Sequence, residues 1–173
     1  KGGTPFLFPS RTNDKKKNPL TPKAKVKFLK SVFPQVTVVD DAGSKTIFQA
    51  LEYLVKKGFK TATIVVGGDR IGEFEKTVVP YTKQIGMDNI DFVGAGARDP
   101  DATGVEGMSA SKLRAAALEG DFDTFRSGMP KRASSKDAKM LYNEIRKVMG
   151  ANEEYGKDSL FGTTALRKKY ERG

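Results

Sequence analysis

A chain of 173 residues, 38% hydrophobic and 30% charged, is long enough to bury a core and too apolar for a disordered tail. It contains no apolar run approaching ~18 residues, so no membrane partner is expected. The absence of cysteine and histidine excludes disulfides, thiolate catalysis, His general bases, Ser-His-Asp triads and His-ligated metals, leaving Lys, Arg, Asp, Glu, Ser, Tyr and the backbone for any chemistry.

The net charge of +10 is concentrated at the start, where residues 1–34 hold eight Lys, one Arg and one acidic residue. Such a stretch suits nucleic acid, nucleotide phosphates or an acidic protein, or is simply a solvated face.

The first apolar run, Pro5-Phe6-Leu7-Phe8, predicts a strand within Pro5–Ser10. Thr21-Pro22 then reads as an N-cap with Pro at the first helical position, and Phe28, Leu29, Val32 and Phe33 line one face before Pro34 ends the helix. Lys23, Lys25, Lys27 and Lys30 occupy the rest, with Lys25 and Lys27 expected at the surface. The β-branched run Val36–Val39 predicts a short strand closed by Asp40 and Asp41.

Ser44 is the expected cap of a second helix, in which Ile47, Ala50, Leu51, Leu54 and Val55 recur at helical spacing up to Gly58. Thr61–Val66 is the clearest strand. Ile71–Val79 predicts a short helix, and Ile90–Val93 a fourth strand before a Gly94-Ala95-Gly96 turn. Beyond it come three helices, marked by Leu113, Ala116 and Ala117, by Phe122 and Phe125, and by Ala138, Leu141, Ile145 and Val148 up to Gly150. The tail is polar and basic.

Strands alternating with helices through residue 94 predict an α/β, Rossmann-like, doubly wound parallel sheet with helices on both faces, followed by a helical C-terminal region. Function in such folds gathers at the carboxyl ends of strands, which singles out residues 10–21, 40–44, 67–70 and 94–111.

The richest of these runs from Gly104 to Arg114: glycines and small hydroxyls lead into a helix with Lys112 and Arg114 near its start. Free backbone N–H groups, the positive dipole end, Ser109 and Ser111 form an anion site in outline, although Ser109 serves equally well as a plain N-cap. Neither a phosphate-binding P-loop nor a dinucleotide fingerprint is present.

The string Ser109-Ala110-Ser111-Lys112-Leu113-Arg114 resembles the Ile-Ser-Ser-Thr-x-x-Arg signature of the cytidylyltransferase-like nucleotidyltransferase superfamily, whose other hallmark is His-x-Gly-His. Gly67-Gly68-Asp69-Arg70 looks like the family's Gly-x-Asp segment near the nucleotide, and Lys15-Lys16-Lys17-Asn18-Pro19-Leu20 like its basic loop. The overall texture is similar to phage-encoded members.

The resemblance implies transfer of a nucleotidyl group from a nucleoside triphosphate such as ATP or CTP to a small acceptor, with release of pyrophosphate and with Mg²⁺ as the usual ion. It would place Lys16 and Arg114 as the catalytic cations. Lys15, Lys17, Gly67, Asp69, Ser109, Ser111 and Lys112 would join Arg114 in holding nucleotide and phosphate, with no metal ligand in the protein. Asp69 has the alternative role of a turn or cap residue, and Lys112 that of a solvent-facing first-turn lysine.

The His-x-Gly-His segment is absent, and placing Pro5–Ser10 as the family's second strand leaves the first β-α unit unaccounted for. The expectation is a nucleotidyltransferase-like domain over residues 1–130 and a C-terminal helix and basic tail over 131–173. It is expected to be inactive alone, with the vacant position filled by an upstream segment cleaved from the same polypeptide or by a neighbouring chain. The alternative is a non-catalytic structural or assembly component, such as one of a phage virion, using the same fold and a basic surface. The cytoplasm, that of a host cell for a phage-encoded protein, is the expected compartment. Non-specific nucleic-acid contact through charge is compatible with either reading.

Overall fold

The computed structural model describes residues 2–96 and 108–150. Gly104, Gly107 and the tail beyond Gly150 lie outside the described residues. The chain forms two compact units, one from Lys1–Val39 with Pro100–Gly173, the other from Asp40–Asp99. The charge divides with them: Asp40–Asp99 holds eight cationic and nine acidic residues, so the positive excess belongs to the first unit.

In the first unit, β1 (Phe6–Leu7) pairs in parallel with β2 (Thr37–Val38) through α1 (Pro22–Val32). Thr21 accepts the Ala24 N–H at 3.2 Å and Pro22 occupies the first turn, as the sequence predicts. After residue 107 come α5 (Ala110–Glu119), α6 (Phe122–Ser127) and α7 (Ser135–Met149).

Phe28 and Val32 of α1 join Ala116, Ala117, Phe125, Met129, Ala138, Leu141, Tyr142 and Ile145 in one buried cluster. Phe125 is fully buried, and its ring meets Tyr142 edge-on with centroids 5.3 Å apart. The helix expected to follow the α/β domain as a separate C-terminal element therefore supplies part of this core.

Polar groups close the helix ends. Arg146 of α7 donates to the Ala117 carbonyl at 2.6 Å, capping the end of α5, and Gly120 takes up φ +83° beyond it. The Arg126 guanidinium donates to the Ala133 carbonyl at 2.8 Å, holding the turn before α7.

In the second unit, α2 (Ile47–Lys56) precedes β3 (Thr61–Val66), α3 (Ile71–Val78), α4 (Thr82–Ile85) and β4 (Asn89–Gly94). β3 and β4 pair in parallel over six residues, from Thr61 opposite Asn89 to Val66 opposite Gly94. Ala62, Ile64, Ile90 and Phe92 turn toward Leu51, Val78 and Met87. The opposite face carries Thr61, Thr63, Asn89 and Asp91, and there Val65 and Val93 are 64% and 50% exposed.

Among the described residues of this unit, the helices pack on one face of the β3–β4 pair, where helices on both faces are expected. The alternation of polar and apolar residues along β3, rather than a continuous apolar run, marks a one-sided sheet. Nor are β1 and β3 interior strands among the described residues, where each has one hydrogen-bonded neighbour.

The cap of α2 also differs from expectation. Thr46, not Ser44, accepts the Gln49 N–H, and the Gln49 side chain returns to the Thr46 N–H in a reciprocal box. Ser44 is buried and donates to Asp41 Oδ2 at 2.7 Å instead.

Because Phe125 sits where α5, α6 and α7 meet, Phe125→Ala is expected to destabilise the first unit by about 3–5 kcal/mol. Equilibrium denaturation checks this, and Phe125→Leu should recover most of the loss.

Candidate functional site

In the first unit, the loop between β1 and α1 is built around a single carboxylate. Asp14 Oδ1 accepts the Lys16 and Lys17 N–H groups at 3.0 and 2.6 Å, and Asp14 Oδ2 accepts from the Asn18 side chain at 2.8 Å. The Asp14 N–H donates to the Asn18 carbonyl, closing an antiparallel bridge. These bonds hold the Asp14 carboxyl at about 2, the Lys17 N–H contributing most. The three lysine side chains stand outward, exposed.

Lys25 anchors the other side of the loop. Its ammonium donates to the Ser10 carbonyl, the Ser10 hydroxyl and the Thr12 carbonyl at 3.1, 2.9 and 2.6 Å. Expected at the surface, it lies partly buried, and desolvation, then the nearby Arg11, draws its pKa below the usual lysine range. Lys27 is exposed as expected.

α5 begins with the cap that its sequence suggests: Ser109 Oγ accepts the Lys112 N–H at 2.9 Å. Met108, immediately before the cap, and Leu113 on the first turn converge on Gly128. This hydrophobic staple fixes the direction from which the chain enters α5. A Cβ at position 128 would collide with Met108, so the glycine is needed for close approach.

Arg114 joins the two segments. One Nη donates to the Lys17 carbonyl at 3.0 Å and the other to Ser111 Oγ at 3.1 Å. Residues 97 positions apart are thereby held together, and the Lys15–Lys17 loop lies against the start of α5. The guanidinium has five N–H donors, so three remain without a partner among the described residues. The N–H groups of Ala110 and Ser111 precede the first intrahelical bond.

Gly67 and Asp69 belong to the second unit. They form the turn after β3, in which Gly68–Arg70 is a single 3-10 turn and the Arg70 N–H donates to the Gly67 carbonyl at 2.9 Å. Asp69 is exposed and caps neither this turn nor α3. Its carboxylate would lie 2.9 Å from a Cβ at position 67. Arg70 is spent locally, 3.4 Å from Glu73 and over the Phe74 ring at 4.8 Å.

An open groove of about 550 Å³ in this unit is lined by Phe48, Glu52, Thr77, Tyr81, Gln84 and Ile85, none of them a sequence-predicted site residue. No group of three or more acidic side chains that could hold a metal occurs among the described residues. No helix among the described residues is long and apolar enough to cross a membrane.

The structural parts played by Asp14, Lys25 and Met108 in this region are not among the sequence expectations. The Asp at 14 with Asn at 18 was the available signal, since such residues close turns through their side chains.

Comparison with protein-family models, curated proteins and solved structures finds no match for the chain.

The Asp14 carboxyl is lower in the folded protein than its ordinary value of 3.8, so its ordering of the loop is fully present above about pH 4 and is lost as pH falls toward about 2. The Lys16 and Lys17 amide resonances are expected to titrate together over that window. In Asp14→Asn, which keeps one acceptor oxygen but has no charge to lose, they should stay flat.

Proposed function

We propose that the chain is a nucleotidyltransferase-like domain that binds the phosphates of a nucleoside triphosphate where the Lys15–Lys17 loop meets the start of α5. The observation that carries this reading is the double hydrogen bond of Arg114 to the Lys17 carbonyl and Ser111 Oγ. It joins two segments that resemblance alone had assigned to one task. Each unit also contains a parallel strand pair bridged by helix, the kind of β-α-β element from which Rossmann-like doubly wound sheets are built.

The roles follow from the groups available. The Ala110 and Ser111 N–H groups and the remaining Arg114 donors present positive charge at a helix start, and the exposed Lys15, Lys16 and Lys17 ammonium groups supply mobile cations. Ser109, while accepting from Lys112, keeps its own O–H for donation. Such an array stabilises negative charge accumulating on a leaving pyrophosphate during in-line attack, the term on which phosphoryl-transfer chemistry chiefly rests. Mg²⁺ enters as part of the triphosphate substrate.

The chain contains no histidine, so the two donors of the family's His-x-Gly-His motif have no counterpart in it. Losing one preorganised donor lowers such rates by about 10²–10³. The chain alone is therefore a binder, and catalysis requires those donors from another segment or subunit.

Calorimetric titration with magnesium-ATP, magnesium-CTP and pyrophosphate tests the binding. At least one is expected to bind weakly, with Arg114→Ala weakening it by about 1.5–3 kcal/mol through loss of charge-assisted hydrogen bonds. Unchanged affinity in a folded Arg114→Ala variant would show that the guanidinium only ties the loop. Pyrophosphate release at a rate typical of an intact transferase, from this chain alone, would refute the binder assignment.

A further inference from the structure

The cationic face of α1 takes no part in the proposed nucleotide site. Lys23, Lys27 and Lys30 recur at i, i+4 and i+7, which places them on one stripe, and all three are exposed. None has a side-chain partner among the described residues. The helix contains no acidic residue, so its lysines repel one another across successive turns. Lys23 also stands in the first turn, at the positive end of the helix dipole.

Local energetics thus oppose this arrangement twice. Compare α7, which places Asp137 in its first turn and Arg146 and Lys147 in its last, as the dipole favours. The positive face continues beyond α1. The exposed Lys15, Lys16 and Lys17 precede its N-terminus, and near its C-terminal end Ser31 Oγ donates to Asp137 Oδ1 at 2.7 Å, bringing up the start of α7 with exposed Lys136 and Lys139.

We infer that this face of the first unit docks on the phosphate backbone of double-stranded nucleic acid. The stripe from Lys23 to Lys30 rises about 10 Å, a length over which one strand of a duplex presents about three phosphates. No aromatic side chain is exposed beside these lysines among the described residues of this unit, so the described face offers phosphate contacts rather than the stacking platforms that hold single strands. A lipid surface fits less well, because the apolar side of α1, with Phe28 and Val32, is already buried in the core and has nothing to insert. Contact through lysines to phosphates positions without reading sequence, so the interaction is sequence-independent and steeply salt-dependent.

The test is fluorescence anisotropy with a 20-base-pair DNA duplex of random sequence over a range of salt concentrations. With Lys15, Lys16, Lys17, Lys23, Lys27 and Lys30 engaged, log affinity should fall with log salt at a slope of about −5. The triple variant Lys23→Gln, Lys27→Gln, Lys30→Gln should reduce that slope by about 3 and weaken binding about tenfold or more near 0.1 M salt. It relieves repulsion within α1, so its melting temperature should equal or exceed that of the parent.

Lys56→Gln, Lys57→Gln and Lys60→Gln together, in the unit without excess charge, should leave binding unchanged. Equal binding by the parent and the α1 variant would overturn the inference. So would tighter binding of the single strand than of the duplex, or capture of phosphatidylserine vesicles that depends on the same three lysines. The inference does not rest on nucleotide binding: the triple variant retains Arg114, Ser109, Ser111 and the Lys15–Lys17 loop, so the two readings fail separately.

Discussion

The first unit depends on the burial of Phe125. Its ring is fully enclosed where α5, α6 and α7 meet, and Tyr142, Ala117 and Ala138 belong to the same cluster. Phe28 and Val32 of α1 extend that core to a segment from the opposite end of the chain. The order of dependence runs outward from there. Apolar burial, at roughly 25 cal/mol per Å², brings α1 and α5 into one body, and only then does a single guanidinium have a loop carbonyl within reach. The Arg114 bond is a consequence of the core, not a substitute for it, since the net contribution of such a bond is about 1.5–3 kcal/mol.

Local structure was legible because its causes are local. Thr21-Pro22, the β3 run Thr61–Val66 and the glycines at 58 and 150 each act within a turn of their own position, and the structure has them as the sequence predicts. The cap of α2 lies on Thr46, whose spacing to Gln49 spells the reciprocal box, and not on Ser44, two residues farther from the helix. What could not be read was pairing. Strand order and sheet coverage depend on which distant residues meet, and the two separate parallel pairs follow from tertiary packing that no window of sequence contains.

The candidate site divides along the same line. The Lys15–Lys17 loop rests on resemblance alone, but Ser109 as a cap could be read from spacing, and its bond is present. That Arg114 reaches the Lys17 carbonyl could not, because the contact spans 97 positions. Lys25 was misjudged for a related reason. A lysine on a helix is normally solvated, but this one donates to the Ser10 and Thr12 carbonyls and to the Ser10 hydroxyl.

The tie between Arg114 and the loop has an evolutionary corollary. Its acceptor is a main-chain carbonyl, a group that every amino acid possesses, so the identity of residue 17 is nearly irrelevant to the attachment. What the attachment constrains is the number of residues from Ser10 to Thr21 and the turn set by Asp14, because these determine where the carbonyl points. Relatives that retain this geometry should therefore show a loop of fixed length with variable side chains at positions 15–17, while Asp14 and Arg114 change together or not at all. In such a loop the charge presented to a ligand evolves independently of the scaffold that holds it.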